Sequence, residues 1–237
     1  MSRLKGFLFD YGHTLVWFPH YERIHLASAR NVQKKLQELG ISAEITRIRT
    51  SIDGFARRRN GTVLRIDEEF KEILSILGVK TCSQDDLREI IQMHWQPYVQ
   101  DARSRRDVEK VLRYLKTQGF KLGIVANIWS GGMDPALKKL GLERFFDTAV
   151  ASVDIGFQKP DPRIFQLALD RLKLTSSETI MVGDNPTSDI QGAHSLGIGT
   201  VRLLRGPNRK TPDVVEPNFK IRNFQTLATI VHKLGHS

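Results

Sequence analysis

Residues 179–204 read TIMVGDNPTSDIQGAHSLGIGTVRLL. TIMVGD is an apolar run too short for a helix and is closed by a glycine, as a buried strand is. TSDIQGAHSLG then has helical character, and GIGTVRLL is a second apolar run. Strand, helix and strand joined by short connections form the unit of a parallel sheet covered on both faces.

The alternation extends back to about residue 105. RDVEKVLRYLKTQG predicts a helix, KLGIVAN a strand, MDPALKKLGLERFF a helix and TAVAS a short strand. DPRIFQLALDRLKL predicts a helix opened by proline near its first turn. Beyond it, RGPNRKTPDVVEPN reads as a Pro-rich surface loop, and IRNFQTLATIVHKL as a short strand and a helix. The first strand, LKGFLF, stands far upstream at residues 4–9.

The intervening block is all helix. YERIHLASARNVQKKLQELG carries apolar residues at 24, 26, 32, 36 and 39 and stops at Gly40. ISAEITRIRTSIDGFARRR follows, then DEEFKEILSILG ending at Gly78, then DDLREIIQMHWQ ending before Pro97. The expected fold class is therefore α/β: a three-layer Rossmann-like parallel sheet core from residues 1–18 and 103–237, with an inserted helical cap over 19–102. Such a block cannot lie in the sheet, so it must hang over the C-terminal edge of the first strand, where sheets of this kind bind ligands.

Composition narrows the function. The chain has 237 residues, 40% of them hydrophobic, and no apolar run of about 18 residues, so no membrane partner is expected. MSRLKGFLFD lacks a signal-peptide pattern. The single Cys82 precludes an internal disulfide and fits a cytoplasmic location. The net charge of +10 suits phosphates and anionic surfaces, but the tight run Arg57-Arg58-Arg59 reads first as a solvated helix face. No zinc-finger spacing, aromatic RNA-binding signature or basic zipper accompanies it, so no specific nucleic-acid partner is expected.

Three strands end in informative residues. The first ends at Asp10, KLGIVAN at Ala126-Asn127, and TIMVGD at Asp184, with Asp189 five positions on. Gln158-Lys159-Pro160 precedes the helix that feeds the Asp184 strand. Parallel strand ends lie side by side, so Asp10 and Asp184 are placed to converge. Converging carboxylates repel one another unless a hard cation sits between them, and Mg²⁺ suits oxygen ligands while keeping waters for a substrate phosphate.

In the order and spacing of these motifs, and in the helical insertion after the first, the chain resembles the haloacid dehalogenase-like hydrolase superfamily over nearly its whole length. GDNPTSDIQGAHSLGIGTV at 183–201 and FQKPDPRIF at 157–165 carry the resemblance most strongly. The insertion corresponds to the family's C1 cap. The resemblance implies that Asp10 is a nucleophile forming an aspartyl-phosphate and that Lys159 stabilises it and the transferring group. It implies that Asp184 binds Mg²⁺ with Asp10, that Asp189 supports the metal indirectly or through water, and that the Gly12 carbonyl is a further ligand.

Two positions depart from the family. Its phosphatase pattern is D-x-D-x-T, whereas this chain reads Asp10-Tyr11-Gly12-His13-Thr14, without the second acid. Ala126 stands where Ser or Thr usually donates to the phosphoryl oxygen, and Asn127 either donates instead or caps the loop. His13 titrates in a useful range and is either a substitute acid or a polar turn residue. Trp17, Phe18 and Tyr21 either line the substrate pocket or pack the hinge, and Trp129 is a candidate pocket wall. His25 and His94 read as surface or half-buried helix residues.

The expected function is a Mg²⁺-dependent phosphatase acting on a small phosphorylated metabolite. The alternatives are a pseudo-enzyme binding phosphate or a partner, a 2-haloacid dehalogenase, and a nucleic-acid binder suggested by charge alone. Retained Asp184 and Asp189 weigh against the dehalogenase, which needs no metal.

Overall fold

A computed structural model describes residues 4–57, 65–128 and 133–234 of the chain. Six parallel strands form one sheet in the order β3-β2-β1-β4-β5-β6: β1 (Gly6–Phe9), β2 (Lys121–Ala126), β3 (Thr148–Ala151), β4 (Thr179–Gly183), β5 (Gly199–Leu203) and β6 (Phe219–Ile221). The sheet is thus the expected one, with β1 at its centre although it comes first in the chain.

The two-residue period of β1 explains why helices cover both faces. Phe7 and Phe9 point to one side and pack with Val108, Leu112 and Leu115 of α5 (Arg106–Thr117) and Leu227 and Ile230 of the C-terminal helix Gln225–Leu234. Leu8 points to the other and packs with Ile164, Phe165, Ala168 and Leu169 of the helix Pro162–Leu172. Asp161 caps that helix by accepting from Arg163 N at 2.9 Å, with Pro162 in the first turn as the sequence suggested.

Between β1 and α5 the chain forms α1 (Tyr21–Glu38), α2 (Ile45–Arg57), α3 (Ile66–Ile76) and α4 (Gln84–Asp101). Ala29, Val32, Leu36, Ile48, Phe70, Ile73, Leu87 and Ile90 give this helical cap its own apolar centre, separate from the faces of the sheet. Among the described residues no helix is long and apolar enough to cross a membrane.

Some expectations are corrected. The helix expected to stop before Pro97 runs on to Asp101, with Pro97 inside it. Proline cannot donate to the carbonyl four residues back, that of Met93. Here the carboxamide of Asn31 in α1 supplies the missing donor, its Nδ2 bonding Met93 O at 2.9 Å. The helix expected over MDPALKKLGLERFF breaks at Gly141, which takes a left-handed φ of 65°. Its first part is α6 (Met133–Lys139), and a short 3₁₀ turn, Glu143–Phe145, follows. His94, expected near the surface, is fully buried, its Nδ1 2.6 Å from Ser28 Oγ.

The Asn31 contact makes a specific prediction. Asn31→Leu leaves a carbonyl without a donor and should lower stability by about 1–3 kcal/mol in denaturant unfolding. In a Pro97→Ala background the helix supplies its own N–H, and the same change should cost far less. Equal costs in the two backgrounds would refute this account of how α4 passes through proline.

Candidate active site

Strand register decides which side chains meet. Phe9 pairs with Ile124 of β2 on one side and Val182 of β4 on the other, and Asp10 N donates to Val182 O at 2.9 Å. Asp10 therefore leaves the sheet between the end of β4, Gly183-Asp184, and the end of β2, Ala126-Asn127.

Asp189 arrives by a local device. After Asp184 the chain winds in wide π turns over Pro186–Gln191, with Ile190 N donating five residues back to Asn185 O at 3.2 Å. Asn185 Oδ1 caps these turns by accepting from Thr187 N and Ser188 N, each at 3.0 Å. The winding brings Asp189 against Gly183, and Asn185 N donates to Asp189 Oδ2 at 2.9 Å. A Cβ at Gly183 would stand 2.3 Å from that oxygen and 2.5 Å from Asp189 Cβ, so the close approach requires glycine.

Lys159 comes from the loop ahead of the helix Pro162–Leu172. Its buried Nζ is 2.7 Å from Asp10 Oδ1 and 2.7 Å from Asp189 Oδ1. Asn127 holds the Lys159 backbone with both ends of its carboxamide. Lys159 N donates to Asn127 Oδ1 at 2.7 Å, and Asn127 Nδ2 donates to Lys159 O at 2.8 Å. Asn127 thus acts at this point through Lys159, a role that spacing in the sequence does not show.

Asp10, Asp184 and Asp189 are all buried, and each places a carboxylate oxygen within 4.8 Å of the others. One ammonium faces three acids. Burial, reinforced by the charges of Asp10 and Asp189, pushes the Asp184 pKa up to about 7. Burial also pushes Asp10 upward, against the pull of Lys159 and with the push of Asp189. Burial works against the Lys159 charge, but Asp10 and Asp189 outweigh it and hold its pKa above the ordinary value. An oxygen-only donor set with surplus negative charge fits a hard divalent cation such as Mg²⁺.

Above Asp10 lies a cavity of about 140 Å³. Asp10, Gly12, Ala126 and Asn127 line it from the sheet, and Phe18, Tyr21, Trp95 and Tyr98 line it from the cap side. Phe18 and Tyr98 meet edge to face, their centroids 6.0 Å apart. A Cβ at Gly12 would meet no heavy atom within 4 Å, so the position of the absent acid is open space.

The structure does not gather every candidate here. His13 is exposed and lines a second cavity of about 90 Å³ with Trp17, Arg105, Arg205 and Gly206. The turn that lifts its φ to 58° sends it there. Trp17 is 39% exposed, and its backbone pairs both ways with Arg103, at 2.9 and 3.0 Å. It belongs to the hinge between cap and core, while Phe18 and Tyr21 line the cavity over Asp10. Arg58, Arg59 and Trp129 lie outside the described residues. One neighbour of the site went unread in the sequence: Asn208, in the Pro-rich loop, donates from Nδ2 to Asp184 Oδ2 at 3.0 Å.

Residues 59–203 match the family model described as haloacid dehalogenase-like hydrolase. The chain belongs to that family. It is 28% identical over 98% of both chains to a protein named glyceraldehyde 3-phosphate phosphatase from Methanocaldococcus jannaschii. It is 36% identical over 54% of both chains to (S)-2-haloacid dehalogenase 4A from Burkholderia cepacia. A solved structure titled HAD phosphatase from Thermococcus onnurineus superposes with a TM-score of 0.68 at 24% identity, covering 96% of this chain and 98% of that one. This hydrolase thus shares the fold of that solved structure.

The Gly183 contact predicts a large local effect. Gly183→Ala should lower stability by about 1–3 kcal/mol, because the added methyl displaces Asp189. Gly12→Ala, with open space around it, should change stability by less than about 0.5 kcal/mol. Thermal unfolding of the two variants checks this, and equal midpoints would contradict the packing described.

Proposed function

We propose that this hydrolase is a metal-dependent phosphatase of small phosphomonoesters, with Asp10 as nucleophile. The observation that supports it is the Lys159 ammonium lying 2.7 Å from both Asp10 and Asp189, inside a buried cluster completed by Asp184. Asp10, Asp184 and the Gly12 carbonyl are the groups that would hold Mg²⁺, with Asp189 behind them. When bound, the ion supplies positive charge to the phosphoryl oxygens and to the clustered acids.

The remaining chemistry falls to the chain. An Asp10 carboxylate oxygen attacks phosphorus, the bond from phosphorus to the ester oxygen breaks, and an aspartyl-phosphate forms. Lys159 keeps Asp10 ionised and its oxygen aimed, and it balances charge on the transferring group. Water then attacks the phosphorus, the bond to Asp10 breaks, and inorganic phosphate leaves. In most phosphatases of the pattern D-x-D-x-T the second acid protonates the departing oxygen. Gly12 has no side chain and His13 lies in the other cavity, so neither residue gives this proton.

Phe18, Trp95, Tyr98, Ile128 and Ala136 give the cavity largely apolar walls. The name of the Methanocaldococcus jannaschii relative supports a small phosphorylated metabolite as substrate. The dehalogenase reading draws on the Burkholderia cepacia relative and on Gly12, but it leaves the Asp184–Asp189 pair without a task; chloride release from 2-chloropropionate tests it.

Hydrolysis of p-nitrophenyl phosphate with Mg²⁺ should vanish in Asp10→Asn. Release by that variant at the wild-type rate would remove the proposal. Gly12→Asp should raise turnover of alkyl phosphates by about 10²–10⁴, the worth of a general acid. p-Nitrophenyl phosphate, whose phenolate departs without protonation, should gain far less. Equal gains for both esters would show that the missing proton donor is not what limits the enzyme.

A further inference from the structure

β5 carries an arginine into the interior. Arg202 is 2% exposed, and its guanidinium lies under the loop that follows the strand. Nη1 pairs with the Asp213 carboxylate, and Nη2 donates to Asn208 O at 2.9 Å and to Thr211 O at 2.7 Å. These contacts hold the 3₁₀ turn Pro207–Lys210 from below. Asn208, half-buried in that turn, is thereby presented to Asp184, and its Nδ2 bonds Asp184 Oδ2 at 3.0 Å. The same turn touches the loop after β1. Gly206 takes a left-handed φ of 67°, and a Cβ there would stand 2.9 Å from His13 Cβ. One brace therefore contacts the loops that follow β1 and β4.

We propose that Asn208 is a positioning residue for the metal site, fixed in turn by Arg202. The inference rests on the metal-dependent reading above. Asp184 is a short carboxylate among like charges, and left alone it would rotate away from Asp10 and Asp189. A hydrogen bond to one oxygen fixes the plane of the group and leaves the other oxygen for the cation. The donor is a neutral amide. A lysine or arginine in its place would orient Asp184 equally well but would cancel the charge that attracts the metal. Asn208 orients without competing.

The test is Mn²⁺ binding to the full chain, followed by the electron paramagnetic resonance signal of free Mn²⁺. Asn208→Ala and Asn208→Leu both remove the donor, the second while keeping the volume. Each should weaken Mn²⁺ binding by about 10–100-fold, the usual effect of losing a partner that orients a metal ligand. Their metal-free unfolding midpoints should fall by only about 2–4 °C, the cost of one lost hydrogen bond. Lys210→Ala, exposed on the same turn, should bind Mn²⁺ like wild type. Wild-type affinity in both Asn208 variants overturns this inference and leaves the phosphatase reading intact. A wild-type chain that binds no Mn²⁺ overturns both, and a midpoint that falls well beyond that cost, in step with affinity, shows a structural role instead.

Discussion

The contact on which the site turns is the buried ammonium of Lys159 between Asp10 and Asp189. Burying a charge is costly unless it is paired and hydrogen-bonded, and removing one partner of such a set leaves the others uncompensated. The surrounding structure reads as a way of bringing that set together. Parallel register sets Asp10 beside β4, the π turns and the bare Gly183 admit Asp189, and the Asn127 carboxamide grips the Lys159 backbone. The set is still unbalanced, with three acids to one ammonium, and burial, reinforced by the charges of Asp10 and Asp189, raises the Asp184 pKa. A site that is strained without a cation is stabilised by one, which links the fold to the metal it is proposed to use.

Much of this was legible in the sequence because it depends on local pattern. Apolar runs and helical periods gave the alternation from β2 to β5. Strand ends in a parallel sheet must lie together, so Asp10 and Asp184 were readable as neighbours. What was not legible depends on partners far along the chain. Nothing near Pro97 tells that α4 continues, because the compensating donor is Asn31, in another helix. Nothing near Asn208 tells that it reaches Asp184, because Arg202 under the loop sets its place. Asn127 follows Ala126 at a strand end, where the sequence leaves open whether it donates to phosphate or caps the loop; its bond to the Lys159 backbone depends on the loop before the helix Pro162–Leu172.

The aromatic residues after β1 show the same division. Trp17, Phe18 and Tyr21 lie within one short connection, and composition cannot separate them. The separation comes from the backbone pairing of Trp17 with Arg103, where the chain enters and leaves the cap. That pairing fixes Trp17 at the crossing point and turns Phe18 and Tyr21 toward Trp95 and Tyr98, over Asp10.

Gly12 gives the site its particular character. Its backbone keeps the carbonyl proposed as a metal ligand, and the space a Cβ would occupy is clear of other atoms. The loss is therefore chemical and not architectural. Asp10, Lys159 and the clustered acids remain together, while no carboxylate stands at position 12. On the proposed phosphatase reading, the missing acid at position 12 favours esters whose alcohols leave as stable anions, or substrates with a proton of their own to give.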